Sequence, residues 1–562
     1  MKTTLKHLSS KLHLQGPWSF LVLIIIAMAC GAMADDLIEA ALTPADAQAA
    51  LKVAELEMTT AEVDSLLPTL EEYREGYREL RQHPLDNSIS PALIFDPRPL
   101  GFKMPDYTST IELADLGEVK LPEKREDLAY YSIPQLARLL RQGDISSVEL
   151  TEFFIARLRA YDPSLFCVIS LTEELALEQA ARADAELAAG QDRGLLHGIP
   201  YGAKDLLATK SYNTTWGAQP YRNQSFDYDA AVIESLEEAG AVLVAKLTLG
   251  ALAWGDVWYG EMTRNPWDPS TGSSGSSAGS ASAVAAGLVP FAIGTETLGS
   301  IVSPSTVCGT TGLRPTFGRV SRHGAMALSW TMDKVGPITR SATDAILVLA
   351  AIEGRDERDP ATIAAPLRYV AGEQAAPLRI GYLAEDFAQD YPFKTQDSLS
   401  LEVLRNLGYD LVPIELPELP AISPILEVES AAAFDEMTRS GKDDELVRQV
   451  KNAWPNVLRA ARFVPAVEYL QANRHRRLLM EEMATLFRDI DLYVHPSWAS
   501  RSLVITNFTG HPCLVIPNGF QDNGRPTSIS FTGDLFEEGE LIEIGQAFQA
   551  ATEWDDLHPE LK

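Results

Sequence analysis

The sequence predicts an α/β protein in which a large, mostly parallel or mixed central sheet is covered by helices on both faces. Strand-like apolar runs alternate with amphipathic helical stretches through the middle of the chain, as in segments 167–171, 173–189, 230–238 and 241–246. The run 241–246 is apolar almost throughout, which is typical of a strand buried on both faces. The length of 562 residues suits a large α/β enzyme that folds as one unit.

The first 34 residues have the pattern of a signal peptide. Lys2, Lys6 and Lys11 precede an apolar run over 18–29, and small residues end the segment at Ala34. We therefore expect export to the periplasm or the extracellular space, with cleavage and no stable membrane insertion afterwards. An N-terminal membrane anchor is the alternative, although the apolar run is short for a span.

Residues 35–125 are predicted to form a helical N-terminal extension and a connector. Ala, Leu and Glu recur at helical spacing from Asp36 to Arg81, and Thr43 and Thr59 stand where helix caps belong. Segment 83–125 is rich in Pro and Asp, which favours an extended connector. The main domain is then expected over 126–562.

The main domain opens with two helices. Ser132 precedes Ile133-Pro134, which predicts a capped helix that stops at Gly143, and Ser146 opens a second helix that reaches Tyr161. Beyond the alternating middle, a mainly helical insertion is expected between 417 and 488, and it could cover a substrate cleft. The remaining candidates are strands at 378–383, 410–416, 489–495, 513–516 and 527–531 and a helix at 539–551.

Charge and cysteine content exclude several classes of function. The net charge of −31 repels nucleic acid and anionic lipid, so no nucleic-acid partner is expected. Four cysteines are too sparse for a disulfide framework. The sequence has no HExxH or CxxC pattern, so we expect no metal and no other cofactor.

A stretch of small residues from Thr271 to Pro304 organises the chain. Such a composition is typical of a flexible linker, but the centre, Ala281 to Ile293, is too apolar for one. We predict two tight loops, around Ser276 and Ser300, joined by a buried helix and strand. Glycine lets backbone N–H groups crowd around a ligand atom, and serine supplies hydroxyls that attack or relay protons.

Several separated motifs resemble those of the amidase signature family, serine hydrolases and amidotransferase subunits that act on carboxamides. The resemblance covers roughly Asp127 to the C-terminus. Its motifs, in the family's order, are HGIPYGAKDLL over His197–Leu207, TRNPWD over Thr263–Asp268, SGSSAGS over Ser274–Ser280, GTETLGSI over Gly294–Ile301 and Gly510-His511-Pro512.

The resemblance implies the amidase signature fold and a hydrolase that cleaves a carboxylic amide C–N bond through a serine acyl-enzyme. Together with the signal-peptide pattern, it predicts an exported hydrolase. It assigns Ser300 as the nucleophile, Ser276 as the bridging serine and Lys204 as the base. The two serines are 24 positions apart, which matches the family's spacing. It also implies a cis peptide bond between Gly275 and Ser276.

A lysine base works only if the amine is neutral. Free lysine titrates near ~10.4, so a pKa of about 7 or 8 requires roughly 4 kcal/mol of disfavoured charge, which burial must supply. The flanks of Lys204 are suitably apolar, with Ile199 and Pro200 before it and Leu206 and Leu207 after it.

By the same resemblance, the backbone N–H groups of Thr297, Leu298, Gly299 and Ser300 form an oxyanion hole. The sequence departs from the family here, because Leu298 replaces a glycine, and leucine resists positive φ. A catalytically impaired, amidase-like binding protein is therefore an alternative. Other departures are Glu296 for aspartate, Val302 for arginine, and Ser274 and Ala278 for glycines.

The stretch Leu252–Met262 is expected to border the acyl pocket of a small-molecule amide substrate. Trp254, Trp258 and Tyr259 within it suggest an apolar or aromatic acyl group, although they could equally be core aromatics. The sequence does not indicate which amide is cleaved, whether esters are cleaved too, or the oligomeric state.

Two other enzymatic interpretations remain. In a serine esterase of the α/β-hydrolase class, Gly275–Gly279 would supply GxSxG and Ser277 would be the nucleophile. That class needs a strand immediately before the motif, and 265–271 reads as a loop. An amidotransferase subunit is opposed by the expected export and by the acidity.

Overall fold

The computed structural model describes residues 41–372 and 378–561. The predicted signal peptide, residues 1–34, lies outside the described residues. The chain divides into two compact units between Leu85 and Asp86. The predicted domain boundaries at 34/35 and 125/126 remain predictions.

The first unit contains two helices, α1 (Pro44–Val53) and α2 (Thr60–Leu80). Thr43 and Thr59 cap them as the sequence predicts. In each case the threonine hydroxyl accepts a backbone N–H one turn into the helix, and the acidic residue there, Asp46 or Glu62, accepts the cap's own N–H. These reciprocal bonds fix where both helices begin.

The second unit contains most of the secondary structure. Its helices are α3 (Ile133–Gln142), α4 (Ser147–Leu165), α5 (Glu173–Ala188), α6 (Ala231–Glu238), α7 (Ala278–Ala285), α8 (Val302–Cys308), α9 (Ala342–Ile352), α10 (Ala384–Ala388), α11 (Lys394–Asn406), α12 (Pro424–Ala433), α13 (Asp435–Ser440), α14 (Trp454–Ala461), α15 (Ala466–Leu486), α16 (Ser502–Thr509) and α17 (Glu538–Thr552). Its strands are β1 (Thr110–Glu112), β2 (Val168–Leu171), β3 (Pro200–Lys204), β4 (Val242–Leu247), β5 (Arg264–Asn265), β6 (Asp268–Gly272), β7 (Phe291–Glu296), β8 (Thr311–Arg314), β9 (Lys334–Thr339), β10 (Arg368–Val370), β11 (Ile380–Leu383), β12 (Leu411–Ile414), β13 (Leu492–Pro496), β14 (Cys513–Phe520) and β15 (Pro526–Gly533).

Eleven of the described strands form one sheet in the order β12-β11-β13-β15-β14-β8-β9-β7-β3-β4-β2. The pairs β12/β11, β11/β13, β7/β3 and β3/β4 are parallel, and the remaining neighbours are antiparallel. The sheet is therefore mixed, and the predicted α/β class is confirmed. The described strands outside it form two small pairs, β1 with β10 and β5 with β6.

The parallel pair β3/β7 positions the site. Tyr201, Gly202 and Ala203 of β3 lie opposite Phe291, Ala292 and Ile293 of β7. Both strands are fully buried, and parallel neighbours end at the same edge of a sheet. The last residues of the two strands, Lys204 and Glu296, therefore lie at a common edge.

The small-residue stretch is a packed part of this core rather than a linker. Its predicted helix and strand are α7 and β7, and Ala281, Val284 and Ala292 share one apolar cluster. Side chains this small let α7 lie close to the sheet.

Several elements differ from the predictions. The strands β3, β8 and β9 were not predicted. Strands β3 and β9 are buried throughout but contain Pro, Gly and Lys, and so lack an apolar pattern in the sequence. Segment 265–271 is not a loop but largely the β5/β6 hairpin. Helix α4 continues past Tyr161 to Leu165.

Candidate active site

Lys204, at the end of β3, projects into a buried cluster of hydroxyl groups. Its Nζ lies 2.8 Å from Ser276 Oγ, 3.0 Å from Ser277 Oγ and 2.8 Å from Thr295 Oγ1. The side chains of Lys204, Ser276 and Ser277 are completely buried. The structure therefore brings together two of the three residues predicted to be catalytic, Lys204 and Ser276.

The environment of Lys204 makes its amine a weak base. Burial lowers its pKa to about 7, against the opposing effect of the negative charges of Asp333 and Glu296. Burial disfavours the charged ammonium because the hydroxyl groups around it cannot replace the hydration of a full charge. Near neutral pH the amine is therefore partly unprotonated and able to accept a proton.

Ser276 follows a cis peptide bond from Gly275, as the resemblance implies. The backbone is tightly packed here, since a Cβ atom on Gly275 would lie 2.0 Å from the carbonyl oxygen of Gly255. The preceding Ser274 has φ of +59° and donates its N–H to Asp256 Oδ2 over 3.1 Å. The loop that carries Ser276 is thus held against segment 252–262.

Ser300 lies beside this loop at the start of α8. Its carbonyl oxygen accepts the N–H of Ser277 over 3.1 Å, which holds Ser300 next to the residue that follows Ser276. Ser300 keeps 8 % of its surface exposed, whereas Lys204 and Ser276 keep none. A reagent from solvent can therefore reach Ser300 more easily than the groups behind it.

The backbone before Ser300 presents free donors. Among the hydrogen bonds of the described residues, none uses the backbone N–H groups of 297–300. Adjacent N–H groups without protein partners form a concavity that suits an anion. The left-handed conformation falls on Gly299, with φ of +83°, and not on Leu298. The substitution of leucine for glycine at 298 therefore causes no strain of the kind expected from the sequence.

Glu296 holds the other side of the Ser300 turn. Its Oε2 accepts the N–H groups of Ile301 and Val302 over 2.8 and 3.0 Å, and its Oε1 accepts Arg314 over 2.7 Å and Asn507 over 2.8 Å. Burial acts to raise the pKa of Glu296, but the charge and hydrogen bonds of Arg314 outweigh it and lower that pKa to about 2. This fixed carboxylate anchors the first turn of α8.

The turn is also tied to the start of strand β9. The Thr297 hydroxyl donates to Asp333 Oδ1 over 2.6 Å, and Asp333 Oδ2 accepts the N–H groups of Leu328 and Ser329. Burial raises the pKa of Asp333. Thr295, Thr297 and Asp333 line a cavity of about 70 Å³.

The three aromatic residues predicted to bind substrate lie near the serine loop but not on this cavity. Trp254, Trp258 and Tyr259 are half-buried, and the rings of the last two stack edge to face at 5.0 Å. From their segment, Ala253 lines the cavity. Their role in substrate binding stays a prediction.

Comparison with known proteins places these features in a family. The sequence pattern of the Amidase family matches residues 149–506. The chain is 32 % identical over 484 residues to a glutamyl-tRNA(Gln) amidotransferase subunit of Coxiella burnetii, with 77 % of this chain and 99 % of the relative covered. The chain belongs to the amidase signature family. The corresponding protein of Methylococcus capsulatus is 34 % identical over 482 residues, with 76 % and 98 % covered.

Solved amidase structures share the fold. The peptide amidase of Stenotrophomonas maltophilia superposes with a TM-score of 0.67 at 30 % identity and covers 77 % of this chain and 98 % of its own. An amidase family protein of Bacillus anthracis reaches a TM-score of 0.70 at 26 % identity, with 78 % and 93 % covered. The predicted amidase signature fold is confirmed.

The relatives overturn the prediction that this amidase is exported. Both the Coxiella and the Methylococcus proteins belong to a glutamyl-tRNA(Gln) amidotransferase, whose name refers to a tRNA substrate. The prediction of a periplasmic or extracellular protein is therefore wrong, and its membrane-anchored alternative is set aside with it. Separately, no helix within 41–372 and 378–561 has the length and apolar character that crossing a membrane requires.

Several residues of the site escaped the sequence reasoning. From distant parts of the chain, Asp333 bonds Thr297, and Arg314 and Asn507 bond the Glu296 carboxylate. The only sequence signal for them was their polarity within apolar surroundings, which many unrelated positions share. Within the described residues, no group of three or more His, Cys, Asp or Glu side chains could hold a metal ion.

Proposed function

We propose that the protein hydrolyses a small-molecule carboxamide through an acyl-enzyme, with Ser300 as the nucleophile, Ser276 as the bridging serine and Lys204 as the base. The observation that carries this proposal is the contact of 2.8 Å between the buried, weakly basic Nζ of Lys204 and Ser276 Oγ. A neutral amine next to a hydroxyl is the arrangement that proton abstraction requires.

The reaction begins when neutral Lys204 accepts the proton of Ser276, which in turn accepts the proton of Ser300. Ser300 Oγ forms a bond to the amide carbon, and the carbonyl oxygen becomes an oxyanion. The free N–H groups of Thr297, Leu298, Gly299 and Ser300 then stabilise its charge by hydrogen bonds that need no rearrangement.

The C–N bond breaks as the nitrogen takes a proton from Ser276, which recovers one from protonated Lys204. The products of this step are a free amine or ammonia and an ester on Ser300. Water attacks this ester after giving a proton to the same relay. The carboxylic acid then leaves, and Ser300 regains its proton.

The esterase alternative, with Ser277 as nucleophile, has weaker support. Ser277 Oγ is completely buried, accepts the N–H of Thr295 over 3.1 Å and donates to the Thr295 carbonyl. An elbow serine needs a hydroxyl exposed at the top of the main sheet. The strand before it, β6, belongs to a separate hairpin.

Labelling separates these assignments. We expect a fluorophosphonate to modify Ser300 in the native protein, and peptide mapping to find no adduct in Ser300→Ala or in Lys204→Ala. Lys210→Ala is the matched control, because Lys210 is exposed and outside the hydroxyl cluster, and it should label normally. An adduct on Ser277, or full activity of Lys204→Ala, would refute the proposal. If the native protein is neither labelled nor active on amides, the alternative interpretation, a catalytically impaired binding protein, would be favoured.

An amidotransferase subunit is a second candidate, favoured by the names of the curated relatives. The net charge of −31 opposes direct contact with tRNA, so we infer that a small amide is the substrate and that no nucleic acid binds. Ammonia release from simple amides by the chain alone is the expected result. Release that requires tRNA and further subunits would favour the second candidate.

A further inference from the structure

The cavity beside Thr295 and Thr297 reaches from the hydroxyl cluster around Lys204 to the surface. At its inner end, Thr295 Oγ1 lies 2.8 Å from Lys204 Nζ. The lining is mixed, because Leu206 and Met326 are apolar whereas Asp333 and Lys334, which lie close to Thr297 and Glu296, are ionisable. Ser88 and Ser90 also line the cavity, and both are exposed to solvent, so they mark its outer end. The cavity thus leads outward from Thr295, the hydroxyl neighbour of Lys204.

The outer wall is supplied by a segment far from the motifs in sequence, residues 86–90, which we call the strap. Asn87 fixes the strap with hydrogen bonds in both directions. Its Oδ1 accepts the N–H of Ala327 over 2.7 Å, and its Nδ2 donates to the carbonyl oxygens of Ala327 over 2.9 Å and Ala433 over 3.3 Å. One side chain therefore joins the strap to the end of α12 and to residues 322–330, most of which line the cavity and which we call the cavity loop.

The chain just after the strap is also anchored. The Phe95 ring packs edge to face on Phe317 at 5.0 Å, and the guanidinium of Arg476 lies 3.5 Å from the centre of the Phe95 ring. A cation this close to a half-buried ring adds to the packing. The strap is consequently held in a fixed position by contacts at Asn87 and at Phe95.

The strap lies outside the part of the chain that matches the Amidase family, which begins at residue 149. The amidase core therefore receives part of its cavity wall from the N-terminal connector. A wall contributed by an added segment can change which substrates fit without changing the reacting groups.

The cavity suits the acyl side of an amide rather than the amine side. The leaving nitrogen must face Ser276 to take its proton, and Ser276 does not line the cavity; nor does Ser300, but Thr297 of the proposed oxyanion hole, three residues before it, does. A volume of about 70 Å³ is roughly twice the 30 Å³ that one water molecule occupies in the liquid. That space fits a compact acyl group.

Resting on the proposed function, we propose that the strap closes the acyl cavity and limits the enzyme to amides with a compact acyl group. The side chains of Leu206 and Met326 would take the carbons next to the carbonyl, and the hydroxyl groups of Ser88 and Ser90 would meet a hydrogen-bonding group at the far end.

The test uses p-nitroanilides with acetyl, butyryl, hexanoyl and benzoyl groups on the full chain. Ser88→Trp adds bulk to the cavity wall and should lower kcat/KM at least tenfold for butyryl and larger groups relative to acetyl. Ile89→Trp is the matched control, because Ile89 lies between the two serines but is exposed and does not line the cavity. Ile89→Trp should leave kcat/KM for each acyl group, relative to acetyl, within about twofold of the native protein.

Asn87→Ala tests the same wall in the opposite direction. Release of the strap should raise kcat/KM for hexanoyl and benzoyl substrates at least fivefold relative to acetyl. The proposal would be overturned if kcat/KM depended on the acyl group in the same way in Ser88→Trp, Ile89→Trp and Asn87→Ala. It would also be overturned if these variants changed kcat/KM only across substrates that differ in the amine. Failure of the proposed function looks different, since the native protein would then show no Ser300 adduct and no turnover.

Discussion

The hydroxyl of Thr297 donates to Oδ1 of Asp333 over 2.6 Å, and this bond joins the proposed oxyanion hole to the residue that precedes strand β9. Asp333 is largely buried, and its other oxygen holds the cavity loop through two backbone N–H groups. One carboxylate thus fixes both the turn before Ser300 and the wall of the cavity.

Replacement of Thr297 by valine removes this bond while keeping the shape of the side chain. We expect kcat/KM to fall about tenfold, because the turn before Ser300 loses its bond to Asp333. The free energy of unfolding should fall by about 1–3 kcal/mol, because the largely buried Asp333 carboxylate loses a hydrogen-bond donor. Thr297→Ser keeps the hydroxyl and should recover most of both quantities. Steady-state kinetics and urea unfolding measure them, and equal losses in the valine and serine variants would exclude the bond as the cause.

Acyl-enzyme formation should depend on pH through Lys204. Burial lowers the pKa of Lys204 to about 7 while Asp333 and Glu296 act to raise it. Because the neutral amine is the base, kcat/KM should increase as pH rises through about 7 and then level off. Asp333→Asn removes one of the two negative charges and should move this rise to lower pH. A profile that is flat from pH 5 to 9 would contradict the role of Lys204.

The same residue should make stability depend on pH. Lysine in an unfolded chain titrates near 10.5, well above the value of about 7 in the native state. Between these values the unfolded chain binds one more proton than the native protein, so stability rises with pH. Relative to Lys204→Met, the free energy of unfolding of the native protein should increase by roughly 3–4 kcal/mol from pH 7 to pH 10.

Urea unfolding at several pH values across this window gives that difference. Lys210→Met is the matched control, because the Lys210 side chain is exposed to solvent and lies outside the hydroxyl cluster, and its difference from the native protein should stay constant. A constant difference for Lys204→Met as well would show that the amine folds in its charged form.

Gly275 should tolerate no side chain. A Cβ atom there would lie 2.0 Å from the Gly255 carbonyl oxygen, and this backbone contact cannot move without displacing the loop that carries Trp254. Gly275→Ala should therefore lower both kcat/KM and the melting temperature. Gly76→Ala in α2 is the control, since nothing lies within 4 Å of its added Cβ atom, and turnover should be unchanged. Normal turnover in Gly275→Ala would mean that the two loops are not in contact at Gly275.

Local patterns in the sequence predicted much of the fold. Helices α5 and α17 and strand β4 were found from periodicity and from bounding glycines, because those signals are set by neighbours along the chain. Strand β3 was not found, although it carries Lys204, because the chain around Gly202 lacks an apolar pattern. Its strand conformation is imposed by pairing with β4 and β7.

The sequence by itself determined the family, the α/β class and the three residues proposed to react, because each of these follows from short patterns of neighbouring residues. Only the tertiary structure decided that Lys204 is buried against Ser276, that Asp333 holds Thr297, and that Asn87 bonds to Ala327 on the cavity wall. The physical reason is that burial and contact depend on residues distant in sequence. The lowered pKa of Lys204, the bond between Thr297 and Asp333, and the cavity wall at Asn87 therefore arise only when the chain has folded.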